Sequence, residues 1–194
     1  MIRTLLALTM LALVASLAPT AHAAEGRFTP RFREHYDLTQ LRTPAGNTTY
    51  GGLSSSVNLF YEKPLEWSLG LVFNPVVAGR DKQLGTANLA LPSKIRIWHY
   101  GIEYQRFVLA EPEKYGLFAR VGASFDVFDV KYATTRYGGS YYLGLGWEQR
   151  VGGVGIAPEV AFRHMIFEKD IQARAFTPSL ALRLYFINEW LEGL

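Results

Sequence analysis

Between Phe176 and Phe186 hydrophobic and polar residues alternate: Leu180, Leu182, Leu184 and Phe186 fall on one side of an extended chain, and Ser179, Ala181, Arg183 and Tyr185 on the other. A helical period scatters both sets, so the stretch predicts a strand. The same period of two recurs upstream. Leu65, Trp67, Leu69, Leu71 and Phe73 alternate with Glu66, Ser68, Gly70 and Val72; Trp98, Tyr100, Ile102 and Tyr104 alternate with His99, Gly101, Glu103 and Gln105. Tyr115 opens a row of Leu117, Ala119, Val121, Ala123, Phe125 and Val127 backed by Arg120, Gly122, Ser124 and Asp126. Tyr141, Leu143, Leu145 and Trp147 oppose Tyr142, Gly144, Gly146 and Glu148, and Val154, Ile156, Pro158, Val160 and Phe162 oppose Gly155, Ala157, Glu159, Ala161 and Arg163.

With a second strand over 49–61 and a weaker first strand over 27–42, the pattern predicts eight strands. Three features depart from it. Glu34 shares the apolar row of Phe32, Tyr36 and Leu38; Ile95 and Ile97 are out of phase with Trp98 and Tyr100, which predicts a bulge or an apolar pair at a lumen mouth; and Pro158 lacks the donor a closed sheet requires. Short connections at 62–64, 108–114 and 151–153 alternate with longer ones at 43–48, 74–93, 132–139 and 168–175, as an up-and-down barrel with periplasmic turns and external loops demands. Both ends then lie in the periplasm.

The start of the chain is read separately. Arg3, an apolar run and Ala21-His22-Ala23 fit a secretory signal over 1–23, which leaves a barrel over 24–186 and a short periplasmic tail over 187–194. No later stretch offers ~20 consecutive apolar residues, so any spanning is by strands. Cysteine is absent, which excludes disulfides and thiolate metal sites. A net charge of +3 without a Lys/Arg-rich run argues against nucleic acid as a partner.

Periodicity alone does not say which face is inside. Charge placement does: Lys63, Lys82, Lys94, Lys114, Lys131 and Lys169 all map to turns, loops or strand ends, whereas a water-facing wall would carry several in mid-strand. Glu66, Glu103, Arg120, Asp126, Glu148, Glu159, Arg163 and Arg183 therefore face a narrow lumen, where isolated charges are heavily penalised and an interlaced network of ion pairs is expected. Such a network either plugs the barrel or handles protons. Aromatic residues favour bilayer interfaces, which places Trp67, Trp98, Tyr100, Tyr104, Tyr115, Tyr141, Trp147 and Phe186 in two girdles.

An apolar row that ends in an aromatic, as in FTPSLALRLYF at 176–186, resembles the closing strand of bacterial outer-membrane β-barrels, and the whole of about 27–186 resembles the small eight-stranded OmpA/OmpX type. That resemblance implies an all-β, antiparallel up-and-down transmembrane barrel in the bacterial outer membrane. It also implies outer-membrane lipid and lipopolysaccharide as surroundings, and recognition of Phe176–Phe186 by barrel-insertion machinery. Unlike many such chains, this one continues past Phe186 as INEWLEGL.

Two enzyme families share the architecture. Lipid A deacylases carry His-x-Ser on an outer strand face, but here His164 is followed at that spacing by Ile166. The segment Glu34-His35-Tyr36-Asp37-Leu38 resembles one near the N-terminus of lipid A palmitoyltransferases, but the catalytic histidine and the Asp-Ser pair of that family have no counterpart. His35, His99 and His164 stand on different strands without metal-ligand spacing, and no cofactor motif is present. The expected function is a non-enzymatic barrel with a filled lumen that supports envelope integrity or presents external loops to a partner; the competing reading is a lipid-modifying enzyme with an unrecognised site.

Overall fold

The computed structural model describes residues 27–63, 66–80, 92–111, 115–129, 135–151 and 153–185. The signal expected at 1–23, Phe186 and the tail at 187–194 lie outside them. Eight strands follow one another: β1 (Arg27–Thr43), β2 (Gly46–Lys63), β3 (Trp67–Arg80), β4 (Lys94–Glu111), β5 (Tyr115–Asp129), β6 (Arg136–Val151), β7 (Val154–Phe167) and β8 (Gln172–Leu184). Each pairs antiparallel with the next, and β8 returns to β1, closing the barrel. Arg31 lies opposite Arg183 and Arg42 opposite Gln172, so the start of β1 and the end of β8 lie at one mouth, called here the terminal end.

Several strands run past the bounds that periodicity suggested. β1 and β2 are joined across Pro44-Ala45, where the Thr43 hydroxyl accepts from the Ala45 amide at 3.2 Å and donates to the Gly46 carbonyl at 3.1 Å. Gly46 has φ 125°, open to glycine. Asn74-Pro75 does not open a loop: β3 continues to Arg80, and Pro75 lies in register with Trp98 of β4.

The prolines explain how a closed sheet tolerates residues without a donor. In an antiparallel ladder one residue's N–H and C=O address a single neighbouring strand. Pro75 faces the interval where β2–β3 pairing stops, between Gly51↔Gly79 and Val57↔Phe73. Pro158 faces the break in β6–β7 between Gly146↔Glu159 and Gln149↔Ile156, while keeping its place opposite Leu180 of β8. Pro178 faces the break in β1–β8 between His35↔Ser179 and Leu38↔Phe176, and there Thr177 Oγ1 donates to Asp37 Oδ1 at 3.0 Å, so a side-chain bond spans the missing rungs.

The two faces of the wall differ in chemistry. Outward rows are apolar and bare: Leu53 is 78% exposed, Leu71 67% and Leu143 59%. Inward rows hold the charges, with Arg31, Glu62, Glu103, Asp126, Glu148 and Arg183 all buried. A water-soluble barrel has the reverse arrangement, whereas hydrocarbon outside and polar groups inside is the arrangement of a membrane barrel. The interior is layered. At the far mouth Leu41, Tyr50, Val76, Ile95, Ile97, Phe128, Met165 and Phe167 form an apolar cap, a charged middle follows, and Phe107, Phe118, Ala157 and Ala181 pack near the terminal end. Ile95 and Ile97 belong to that cap in unbroken register with Ala78 and Val76, so their phase reflects an apolar lumen mouth and not a bulge.

Candidate functional site: the charged lumen

Three groups of polar side chains fill the barrel below its cap. In the middle one, Glu103 and Glu159 are ringed by three guanidinium groups. Arg33 approaches Glu103 at 3.1 Å through Nη2 and Glu159 at 2.8 Å through Nε. Arg120 reaches the same two carboxylates at 2.9 and 3.3 Å, and Arg31 lies 3.5 Å from Glu103. The Tyr142 hydroxyl donates to Glu103 Oε2 at 2.8 Å. Arg31 also sits 4.5 Å over the Phe60 ring, which gives a desolvated cation a second attractive contact.

Toward the terminal end Arg183 is the hub. Its Nη1 lies 3.0 Å from Glu62 and 3.3 Å from Glu148, and its Nη2 donates to Gln105 Oε1 at 3.1 Å. Tyr185 donates to Glu148, and Thr29 donates to Glu62 at 2.8 Å. Near the cap, Arg163 donates to Ser124 and Ser140 at 3.0 and 3.1 Å, Ser124 donates to Asp126 at 2.7 Å, and His99 Nδ1 lies 2.7 Å from Asp126. His35 and Asp37 approach at 3.2 Å. A void of about 20 Å³ remains between Arg33, His35, Asn74, Arg120, Tyr142 and Arg163, room for one water.

Glycine makes this filling possible. A Cβ on Gly122 would stand 2.3 Å from the Tyr142 ring, and one on Gly146 would stand 2.3 Å from Phe118. Aromatic rings thus lie across the small residues of the neighbouring strand. What the arrangement does chemically is hold strands together: β1, β2, β4, β5, β6, β7 and β8 all send charged or polar groups into the shared bonds. Among the described residues no group of three or more His, Asp or Glu side chains could hold a metal ion.

No protein-family model matches the chain, and no curated protein matches it in sequence. Solved structures do match. The crystal structure of Neisserial surface protein A superposes with a TM-score of 0.61 at 10% identity, over 84% of this chain and 100% of that one. The solid-state NMR structure of the outer membrane protein AlkL in lipid bilayers gives 0.51 at 11% identity, over 86% and 93%. The fold is that of a small outer-membrane β-barrel.

Within that fold the residues singled out from sequence are distributed as follows. Glu103, Arg120, Asp126, Glu148, Glu159, Arg163 and Arg183 are buried in the lumen. Glu66 is not: it occupies the β2–β3 turn, half-exposed, 2.7 Å from Lys63. Its apparent phase with Ser68 fails because β3 begins only at Trp67. Of the aromatics, Tyr100, Tyr141 and Trp147 are exposed on the wall, and Trp67 and Trp98 pack there against Tyr61 and Phe73. Tyr104 shares the outward row but is only 6% exposed, so it is not a free girdle residue. Phe186 and the Tyr115 side chain lie outside the described residues.

Several members of the lumen groups are not singled out by sequence, namely Arg31, Arg33, His35 and Asp37 on β1 and Glu62 on β2, whereas His99 on β4 falls on the polar row that the alternation of its strand already indicates. The signal was present in β1, whose odd positions from Thr29 to Thr39 are all polar. Glu34 and Pro30 in the opposite row obscured it. His164 lies on the outer wall with its ring 5.4 Å from that of Tyr141, and Ile166 follows on the same row.

Proposed function

We propose that the protein is an integral barrel of the bacterial outer membrane, inserted after removal of its leader, with a plugged lumen and its activity at its surfaces: envelope integrity, or display of the far-mouth loops to a partner. The observation that carries this reading is the pairing of a bare apolar wall with an interior of mutually neutralised charges under an apolar cap. On this reading the terminal end is periplasmic, the 81–91 connection is external, and the closing strand β8 presents the segment read by insertion machinery. The lumenal arginines and carboxylates then serve as cross-braces.

Lipid contact has a second support. By register Tyr141, His164, Arg174 and Gln40 form one outward row across β6, β7, β8 and β1, and Arg42 stands in the next row opposite Gln172. Placed at the outer-leaflet surface, Arg174 and Arg42 suit the phosphates of lipopolysaccharide. Fractionation tests the proposal: the mature protein is expected in the outer-membrane pellet after carbonate washing, released only by detergent. Recovery from the soluble periplasm would overturn it. Lipid A mass spectra unchanged by deletion or overexpression are expected too, and a reproducible acyl change would favour the lipid-modifying reading.

A further inference from the structure

Charge does not cancel within the middle layer of the lumen. Arg31, Arg33 and Arg120 bring three positive groups to the two carboxylates of Glu103 and Glu159. Toward the cap, Arg163 adds a fourth cation whose bonds go to neutral partners: its Nη1 donates to the Ser124 and Ser140 hydroxyls, and it forms no salt bridge among the described residues. Asp126 stands one bond further off, engaged by Ser124 and His99, and Asp37 is engaged by Thr177 and His35. The void of about 20 Å³ lies where these groups meet. Arg33, Arg120 and Arg163 line it, and among the described residues no carboxylate does.

The wall of the void is rich in donors that lack an acceptor. Arg120 Nε and His35 Nδ1 are buried without a hydrogen bond, and the bonds of Arg163 leave its Nε and Nη2 unused. A guanidinium can only donate. Asn74 Oδ1 is also without a partner, and a half-turn of that amide presents its NH2 instead. A single water would accept two of these donors and add two protons that need acceptors of their own. A monatomic anion accepts from every side and supplies the negative charge that the surrounding guanidiniums lack. Val72 and Ala161 complete the wall with apolar surface, which suits a weakly hydrated ion. The volume admits one such ion and excludes sulfate, phosphate or a carboxylic acid. We propose that the void is a halide site, holding one chloride ion between Arg33, Arg120 and Arg163.

The apolar cap closes the lumen beyond this site, so the ion enters as the barrel folds, and the test begins from protein folded into detergent with the salt present. Urea unfolding is followed at constant ionic strength while sodium chloride replaces sodium gluconate, whose anion is too large for the void. A ligand of the folded state alone raises stability with the logarithm of its concentration, so the wild-type midpoint is expected to climb as chloride is added. Asn74→Asp sets a fixed carboxylate on the same wall and is expected to abolish that dependence, with heat-modifiable migration in gels showing that the variant is a folded barrel. Crystals of the wild-type protein grown in sodium bromide need no variant: an anomalous difference peak is expected between the three arginines. A wild-type midpoint equal in the two salts would overturn the site, as would a chloride-dependent rise that persists in folded Asn74→Asp. An anomalous map without a peak at the void would overturn it too, since the void then holds water.

Discussion

Arg183 illustrates how a charge survives inside this barrel and how much depends on it. Its place in the sequence indicates an inward cation but not its partners. The partners are Glu62 of β2 and Glu148 of β6, each two strands away, because a narrow lumen lets long side chains meet across it. Arg183→Leu leaves both carboxylates short of a cation, a loss of about 3–5 kcal/mol for a dry pair. The expected outcome is a lower urea unfolding midpoint in detergent, and an unchanged midpoint would mean that the pair is solvated. Gly122 provides a steric counterpart. Gly122→Ala sets a methyl 2.3 Å from the Tyr142 ring and displaces the hydroxyl that serves Glu103, whereas at Gly139 the nearest atom is 3.4 Å from an added Cβ. Overpacking of this kind costs about 1–3 kcal/mol, so Gly122→Ala should unfold well before Gly139→Ala in the same titration. Neither Tyr142's role nor the cross-lumen pairing is visible in one dimension, since both depend on shear between strands that are distant in sequence.

At the level of the strand, the alternation of apolar and polar residues was sufficient to count eight elements and to phase seven of them, because each wall residue must choose lipid or lumen and a period-two choice leaves a direct trace. Strand ends left no such trace. Asn74-Pro75 reads as a turn, yet β3 passes through it by directing the missing donor at an interval where β2 does not pair. The same logic holds at Pro158 and Pro178, and it depends on which neighbour a residue addresses, information the period does not contain. Depth along a strand is the testable consequence. Leu143 is the eighth residue of the sixteen-residue β6 and Leu182 stands two positions from the end of β8. Arginine costs about 2–4 kcal/mol at the midplane and about 0–1 near the interfaces. Leu143→Arg is therefore expected to lower stability in lipid vesicles much more than Leu182→Arg, and equal penalties would refute the placement of the membrane on the wall.

The whole molecule is best understood through its stacked interior. An ion entering at the far mouth first meets Tyr50, Ile95, Ile97, Phe128 and Met165, which offer nothing to replace its hydration shell. Beneath them Arg31, Arg33 and Arg120 are already committed to Glu103 and Glu159, so a passing ion would have to displace a partner that is held at about hydrogen-bonding distance on several sides. Two unlike barriers in series make the prediction specific. In planar bilayers the wild-type protein should show no stable conductance steps, and Phe128→Ala should remain silent as well, because it hollows the apolar cap while leaving the charged layer intact. It should nevertheless lose about 3–5 kcal/mol of stability, as aromatic truncations in packed interiors do. Conductance in Phe128→Ala would mean that the cap alone holds the barrel shut and that the salt-bridged layer beneath is a wet, permeable one; large steady channels in the wild type would contradict a filled lumen altogether.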